Sequence, residues 1–194
     1  VVVMLEAVEA KSTERQTAQA NLTIRNITQR YETAGGSVHA LDNVSFTVEN
    51  GKFVGLVGPS GCGKSSLLLM MAGLLSPTSG QVVLGDHVIT KPVPEEIGVV
   101  FQESSLLPWK TAVENVEFPL RLRGEDPAES REKAVNMLKL VGLGDFLHRH
   151  PHELSGGMKQ RVSIARGFCQ DPRLLLMDEP FAALDEQTRM TLGD

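Results

Sequence analysis

The sequence predicts an α/β fold, with an antiparallel β subdomain in its opening third and a helical subdomain over roughly residues 103–170. Three observations predict it. Residues 53–57 read as a short buried strand that runs through a Gly-rich turn, Gly58-Pro59-Ser60-Gly61-Cys62-Gly63-Lys64-Ser65-Ser66, into an apolar helix over residues 65–72. The apolar run Leu174-Leu175-Leu176-Met177 ends in Asp178 and Glu179, which puts acids at the carboxyl end of a strand, where α/β sheets bind ligands. Residues 22–27 and 44–48 alternate apolar and polar side chains, as half-buried antiparallel strands do.

The chain has 194 residues, 41% hydrophobic and 22% charged, with a net charge of −5. That length holds one sizeable core, and the charge argues against nucleic acid as a partner. Two cysteines, Cys62 and Cys169, are too few for a disulfide framework, so a reducing compartment is expected. The longest apolar run, residues 67–75, is far shorter than the roughly 20 residues that span a bilayer. Residues 1–5 lack the basic flank of a signal peptide. Any membrane role is therefore expected to come through a partner.

Taken in order, residues 1–20 read as a loose polar tail ahead of a domain over residues 21–194. The strand over 22–27 comes first. Residues 32–37 form a loop, the strand over 44–48 follows, and Glu49-Asn50-Gly51 turns into the Phe53 strand. Residues 82–84 and 87–89 flank Gly85-Asp86 as a hairpin. Residues 97–101 form a buried strand that leads into Gln102 and a loop with Pro108 and Trp109. Asp126-Pro127-Ala128-Glu129 starts a helix: Asp caps it, Pro takes the first helical position, and Glu lies three residues after the cap. Ala134, Leu138 and Val141 follow at helical spacing, and Gly142 and Gly144 end that helix. Ser155 caps a further helix reaching about Cys169, which Asp171-Pro172 breaks.

The Gly-rich turn fits the phosphate-loop pattern: Gly, four residues, Gly-Lys-Ser. Such a turn aims backbone N–H groups and the positive end of the helix dipole at one point, which suits a triphosphate. Gly58, Gly61 and Gly63 let the backbone approach phosphate oxygens, and Pro59, Ser60, Cys62 and Ser66 complete the cradle. Lys64 is expected to reach the β- and γ-phosphates as a point charge and to serve catalysis there, and Ser65 to offer its hydroxyl to Mg²⁺. Asp178 is expected in the Mg²⁺ shell, with Glu179 as the general base that polarises the attacking water. The expected ligands are thus ATP and Mg²⁺. His148, His150 and His152, on a Pro-broken loop, read as solvated surface rather than as a metal site.

Leu154-Ser155-Gly156-Gly157-Met158-Lys159-Gln160-Arg161 forms a second anion site: a Ser cap, two glycines and a helix N-terminus. With the phosphate loop and the strand acids, this segment resembles the nucleotide-binding domain of ABC transporters, and the motifs follow that family's order over residues 22–193. The resemblance implies a phosphate-loop NTPase core whose helical subdomain carries the ABC signature. It implies that Ser155, Gly156 and Gly157 cover the γ-phosphate bound by a second copy in a head-to-tail homodimer. It implies further that Tyr31 stacks on adenine, that Gln102 touches Mg²⁺ or the attacking water near the membrane partner, and that Asp185 contacts the opposing subunit. The implied activity is ATP hydrolysis coupled to transport. Its partners would be integral-membrane permease subunits, with a periplasmic or extracellular solute-binding protein indirectly and no nucleic acid. Its place would be peripheral, on the cytoplasmic face of the cell membrane. Leu106-Leu107-Pro108-Trp109, Glu114-Asn115-Val116, residues 119–124, residues 177–185 and Gln187-Thr188-Arg189 resemble the importers of nitrate, sulfonates and taurine.

The family carries a His after the next strand, and this chain ends at Asp194 before it. The expectation is therefore a domain incomplete at its C-terminus, with a sheet edge exposed beside the phosphate-loop strand. Two other readings stay open. One is a soluble ABC ATPase unconnected with transport, which the acidic charge and the importer-like segments oppose. The other is a hydrolytically inactive nucleotide-binding module.

Overall fold

The computed structural model describes residues 1–5, 21–33 and 36–180. Its strands and helices, in chain order, are β1 (Val2–Leu5), β2 (Leu22–Thr33), β3 (Gly36–Val48), β4 (Phe53–Gly55), α1 (Lys64–Met71), β5 (Ser79–Leu84), β6 (His87–Val88), β7 (Ile97–Val100), α2 (Ala112–Leu122), α3 (Pro127–Leu140), α4 (Gly156–Cys169) and β8 (Leu174–Met177). They divide into two compact units, Val1–Ile97 with Arg173–Asp178, and Gly98–Pro172 with Glu179.

The first unit holds two sheets. In one, β1 lies antiparallel between β4 and β8, with Val3 opposite both Val54 and Leu176. The Leu56 N–H donates to the Val1 carbonyl at 2.9 Å. This corrects one expectation: residues 2–5 are a strand rather than part of a loose tail. Strand β4 pairs with β1 on one side only and remains the end strand of this sheet among the described residues. Val-Val-Met-Leu has the β-branched, apolar make-up of a strand. Its partners lie about 50 and 170 residues away, and strand pairing at that distance leaves no local period to read. Below β8, the Leu174 N–H donates to the Glu96 carbonyl at 3.0 Å, and Arg173 Nη1 pairs with Glu96 Oε2 at 2.6 Å.

The second sheet runs β3–β2–β5–β6, every pair antiparallel. Val83 faces Val88 and Leu84 faces His87 across the hairpin that Gly85-Asp86 predicts. Strand β2 buries Leu22 and Ile24, then changes phase and buries Ile27 and Gln29. The change falls at Asn26, which sits at φ 51° where the register of both neighbouring pairs shifts. An extra residue in one strand flips the buried face of all that follows. The Asn26 N–H donates to Ser45 Oγ and its Nδ2 to Asn43 Oδ1, both at 2.8 Å. Gly80 lies beneath this bulge at φ 88°, where a Cβ would stand 2.4 Å from the Asn26 carbonyl oxygen. Both β2 and β3 are longer than their sequence predicts. Residues 36–40 are exposed or half-exposed throughout, so that part of β3 shows no alternation.

Helix α1 buries Leu67, Leu68, Met70 and Met71 and packs against β8. Its end is closed by the Gly73 N–H on the Met70 carbonyl at 3.0 Å and the Leu74 N–H on the Leu69 carbonyl at 2.8 Å. That pairing is a left-handed helix stop.

The second unit is a three-helix packing. Val113, Val116 and Leu120 of α2, Ala134 and Leu138 of α3, and Val162, Ala165 and Cys169 of α4 form one buried cluster. Burial there pushes the Cys169 thiol up to about 11. Helix α3 starts as predicted, with Asp126 Oδ1 accepting from the Ala128 and Glu129 N–H groups at 2.8 and 3.1 Å. Helix α2 falls where the sequence reading placed no individual element, and Pro119 stands inside it. Its start is nonetheless written as a capping box: the Thr111 N–H donates to Glu114 Oε2 at 2.7 Å, and the Glu114 N–H donates back to Thr111 Oγ at 3.5 Å. These bonds hold the Glu114 carboxyl below its ordinary value. Among the described residues no helix is long and apolar enough to cross a membrane.

Candidate functional site

In the first unit, β4 delivers the chain into the Gly-rich loop and α1 leaves it. Gly61 and Gly63 sit at φ 80° and 94°, and Gly63 is the N-cap residue of α1. A Cβ on Gly63 would stand 2.6 Å from the Ala40 carbonyl oxygen and 2.8 Å from Leu41 Cδ2, so both conformation and space demand glycine there. On Gly58 it would meet Cys62 Sγ at 2.8 Å. The loop is pinned by the Cys62 N–H on the Pro59 carbonyl at 3.4 Å.

Lys64 folds back across this turn. Its Nζ donates to the Gly58 and Pro59 carbonyls at 2.9 and 2.8 Å and lies 3.9 Å from Cys62 Sγ. Helix α1 has no side-chain cap and no acidic residue in its first turn. Helices α2, α3 and α4, by contrast, are capped by Thr111, Asp126 and Ser155. A cationic side chain held by its own loop carbonyls, beside a helix start without a cap, fits a polyanion. Ser60 and Ser65 are exposed and Ser66 is half-buried on the same segment.

Asp178 follows β8 in the same unit and is half-buried. The Ser65 hydroxyl and the Asp178 carboxylate are oxygen donors of the kind Mg²⁺ takes. That ion uses few protein ligands and keeps waters and phosphate oxygens for the rest. A sparse donor set therefore fits it, even though no cluster of three or more His, Cys, Asp or Glu side chains occurs among the described residues. Tyr31 stands on β2 opposite Val38, 39% exposed, and its hydroxyl lies 3.1 Å from Ser66 Oγ on α1. That contact ties the tyrosine to the phosphate-loop helix.

The second unit holds the other candidates. Gln102 and Glu179 are both exposed, and Gln102 Nε2 donates to Glu179 Oε2 at 3.3 Å. Glu179 sits at φ 45°, a left-handed conformation that costs of order 1–3 kcal/mol for a residue with a side chain. Ser155 caps α4, its Oγ accepting from the Met158 N–H at 3.2 Å. A Cβ on Gly156 would meet nothing within 4 Å, and Ser155 and Gly156 are exposed, so this helix start opens onto free surface. Gly157 lies half-buried in the first turn. Before it, Glu153 is held at about 2 by the His150 N–H and by Arg149. The His150 and His152 rings stack at 5.7 Å. Asp185 and the importer-like residues 181–189 lie outside the described residues.

Sequence reasoning missed the groups that hold these candidates in place. Buried Asn115 accepts from the Leu107 N–H at 2.8 Å and donates to the Leu107, Lys110 and Thr111 carbonyls, fixing the loop before α2. Gln160 and Arg166 of α4 bind the carbonyls on either side of Gln102. The signal available was a polar residue at a buried helical position.

The sequence profile described as ABC transporter matches residues 41–182. The chain is 45% identical over 181 residues to a bicarbonate transport ATP-binding protein of Synechocystis, covering 92% of this chain and 64% of that one. It is 48% identical over 172 residues to a spermidine/putrescine import ATP-binding protein of Nitrosomonas eutropha, covering 88% and 46%. Among solved structures, a dimeric post-hydrolysis ATP-binding cassette bound to ADP and Pi is similar with a TM-score of 0.81 and 34% identity, covering 88% of this chain and 79% of that one. The chain spans 65–67% of the length of the first curated relatives it matches.

Proposed function

This chain belongs to the ABC transporter family as an ATPase cassette of α/β phosphate-loop fold, and on that premise we propose that it binds and hydrolyses MgATP in a head-to-tail dimer to drive import through permease subunits. The observation that carries the reading is the loop from Gly58 to Ser66: a lysine resting on its own loop carbonyls beside an uncapped helix N-terminus. Lys64 exchanges those carbonyls for phosphate oxygens. The Tyr31 ring takes the adenine. Ser65 and Asp178 would hold Mg²⁺, which when bound would supply positive charge against the phosphoryl oxygens. Glu179 accepts the proton of the attacking water at its carboxylate, once Gln102 releases it. Ser155, Gly156, Gly157 and Asp185 serve the nucleotide of the second copy. The protein works on the cytoplasmic face of the membrane, with a solute-binding protein acting indirectly.

For cargo we propose a small oxyanion of the nitrate, sulfonate or taurine kind. The segment Leu106-Leu107-Pro108-Trp109 supports it, and so does the relative named for bicarbonate transport. The comparable identity of the polyamine import relative means that overall identity does not separate cargo classes. The complex with its permease, placed in proteoliposomes, should take up nitrate, taurine or bicarbonate with ATP, and Lys64→Ala should abolish that uptake. Uptake of spermidine in their place would overturn the cargo reading. Failure to recover any integral-membrane partner would overturn the transport reading.

A further inference from the structure

Gln102 stands in a short segment whose backbone is gripped on both sides by one helix. Before it, Gln160 Nε2 donates to the Phe101 carbonyl at 3.2 Å. After it, Arg166 Nη2 and Nη1 donate to the Ser104 and Ser105 carbonyls at 3.1 and 3.0 Å. Ser105 is in a left-handed conformation, φ 45°, and both carbonyls serve one guanidinium. The two anchors lie about 9 Å apart along α4, at 1.5 Å of rise per residue. That helix begins at Ser155. At its other end the segment acts on Glu179, which accepts from Gln102 Nε2 at 3.3 Å.

Packing alone does not ask for these residues. Gln160 is only 2% exposed, and a buried amide is unfavourable unless its bonds are needed. Burial also lowers the Arg166 pKa from its ordinary value. A lysine would carry the charge, but it has no planar fork to fix two successive carbonyls.

Resting on the ATPase reading above, we infer that Gln160 and Arg166 are positioning residues for hydrolysis, clamping the Gln102 segment to α4 so that displacement at the Ser155 end of that helix moves Gln102 relative to Glu179. Engagement of the signature by a second copy is thereby passed to the hydrolytic pair through one rigid helix. Neither residue touches nucleotide; each acts through Gln102.

The test uses the full chain with MgATP and compares wild type, Lys64→Ala, Gln102→Ala, Arg166→Lys, Gln160→Met and the double variant Gln102→Ala/Arg166→Lys. Arg166→Lys and Gln160→Met should each lower kcat about tenfold or more, as a misplaced catalytic group does. ATP affinity and thermal midpoint should stay near wild type. A role through Gln102 further requires that Arg166→Lys cause no added loss in the Gln102→Ala background. Wild-type kcat in both clamp variants, or an equal fold-loss from Arg166→Lys with and without Gln102, would overturn the inference. If the wild type itself showed no Lys64-dependent turnover, the ATPase reading would fall and this inference with it. Lys64-dependent turnover that is insensitive to Arg166→Lys and Gln160→Met removes the inference alone.

Discussion

Glu179→Gln is expected to lower ATP turnover by roughly 10²–10⁴-fold, the usual worth of a general base, while leaving ATP binding close to wild type. The substitution keeps the size of the side chain and an oxygen that can accept from Gln102, whose Nε2 now lies 3.3 Å from Glu179 Oε2. It removes the carboxylate that takes a proton. Glu179 also holds a left-handed backbone at φ 45°, and Gln inherits that conformation with no new clash. The checks are phosphate release for the rate and equilibrium dialysis for binding. Wild-type turnover in Glu179→Gln would remove Glu179 from the role of base.

Lys64→Ala is expected to lower ATP affinity by about 10²-fold or more, the scale of losing charge-assisted contacts to phosphate. Lys64 Nζ already sits over the turn, 2.8–2.9 Å from the Gly58 and Pro59 carbonyls. Its loss removes a side-chain cation held by that turn and leaves α1 intact, since buried Leu67, Leu68, Met70 and Met71 anchor the helix. Isothermal calorimetry with ATP and Mg²⁺ reads the affinity, and an unchanged dissociation constant would count against the phosphate-loop assignment.

The parts of this molecule that could be read in the sequence are those whose physics is local. The phosphate loop announces itself because φ 80° at Gly61, φ 94° at Gly63 and the crowding around Gly63 all require glycine at fixed spacing. Helix α3 is legible from Asp126 and Pro127, and α4 from Ser155, because caps bond within three residues of themselves. The missed elements depend on distant partners. Strand β1 owes its form to β4 and β8. The extra length of β3 shows no alternation, because nearly all of its first half is exposed. Helix α2, with Pro119 inside it, falls outside the individual elements read from sequence, although its capping box between Thr111 and Glu114 was there to be read. The same distinction governs the site. Lys64, Asp178 and Glu179 carry motif spacing. Gln160 and Arg166 matter through carbonyls about 60 residues away, and no local pattern reports that.

If one copy completes the ATP site of another, two variants that are each inactive alone should complement one another. Lys64→Ala spoils the phosphate loop and leaves Ser155 and Gly157 intact, whereas Ser155→Arg spoils the signature surface and leaves the loop intact. Each variant alone should release almost no phosphate from MgATP. Mixed, they should regain turnover, because half of the paired sites in a mixed dimer join an intact loop to an intact signature. A mixture that stays as inactive as its components, with both variants folded, would contradict the account.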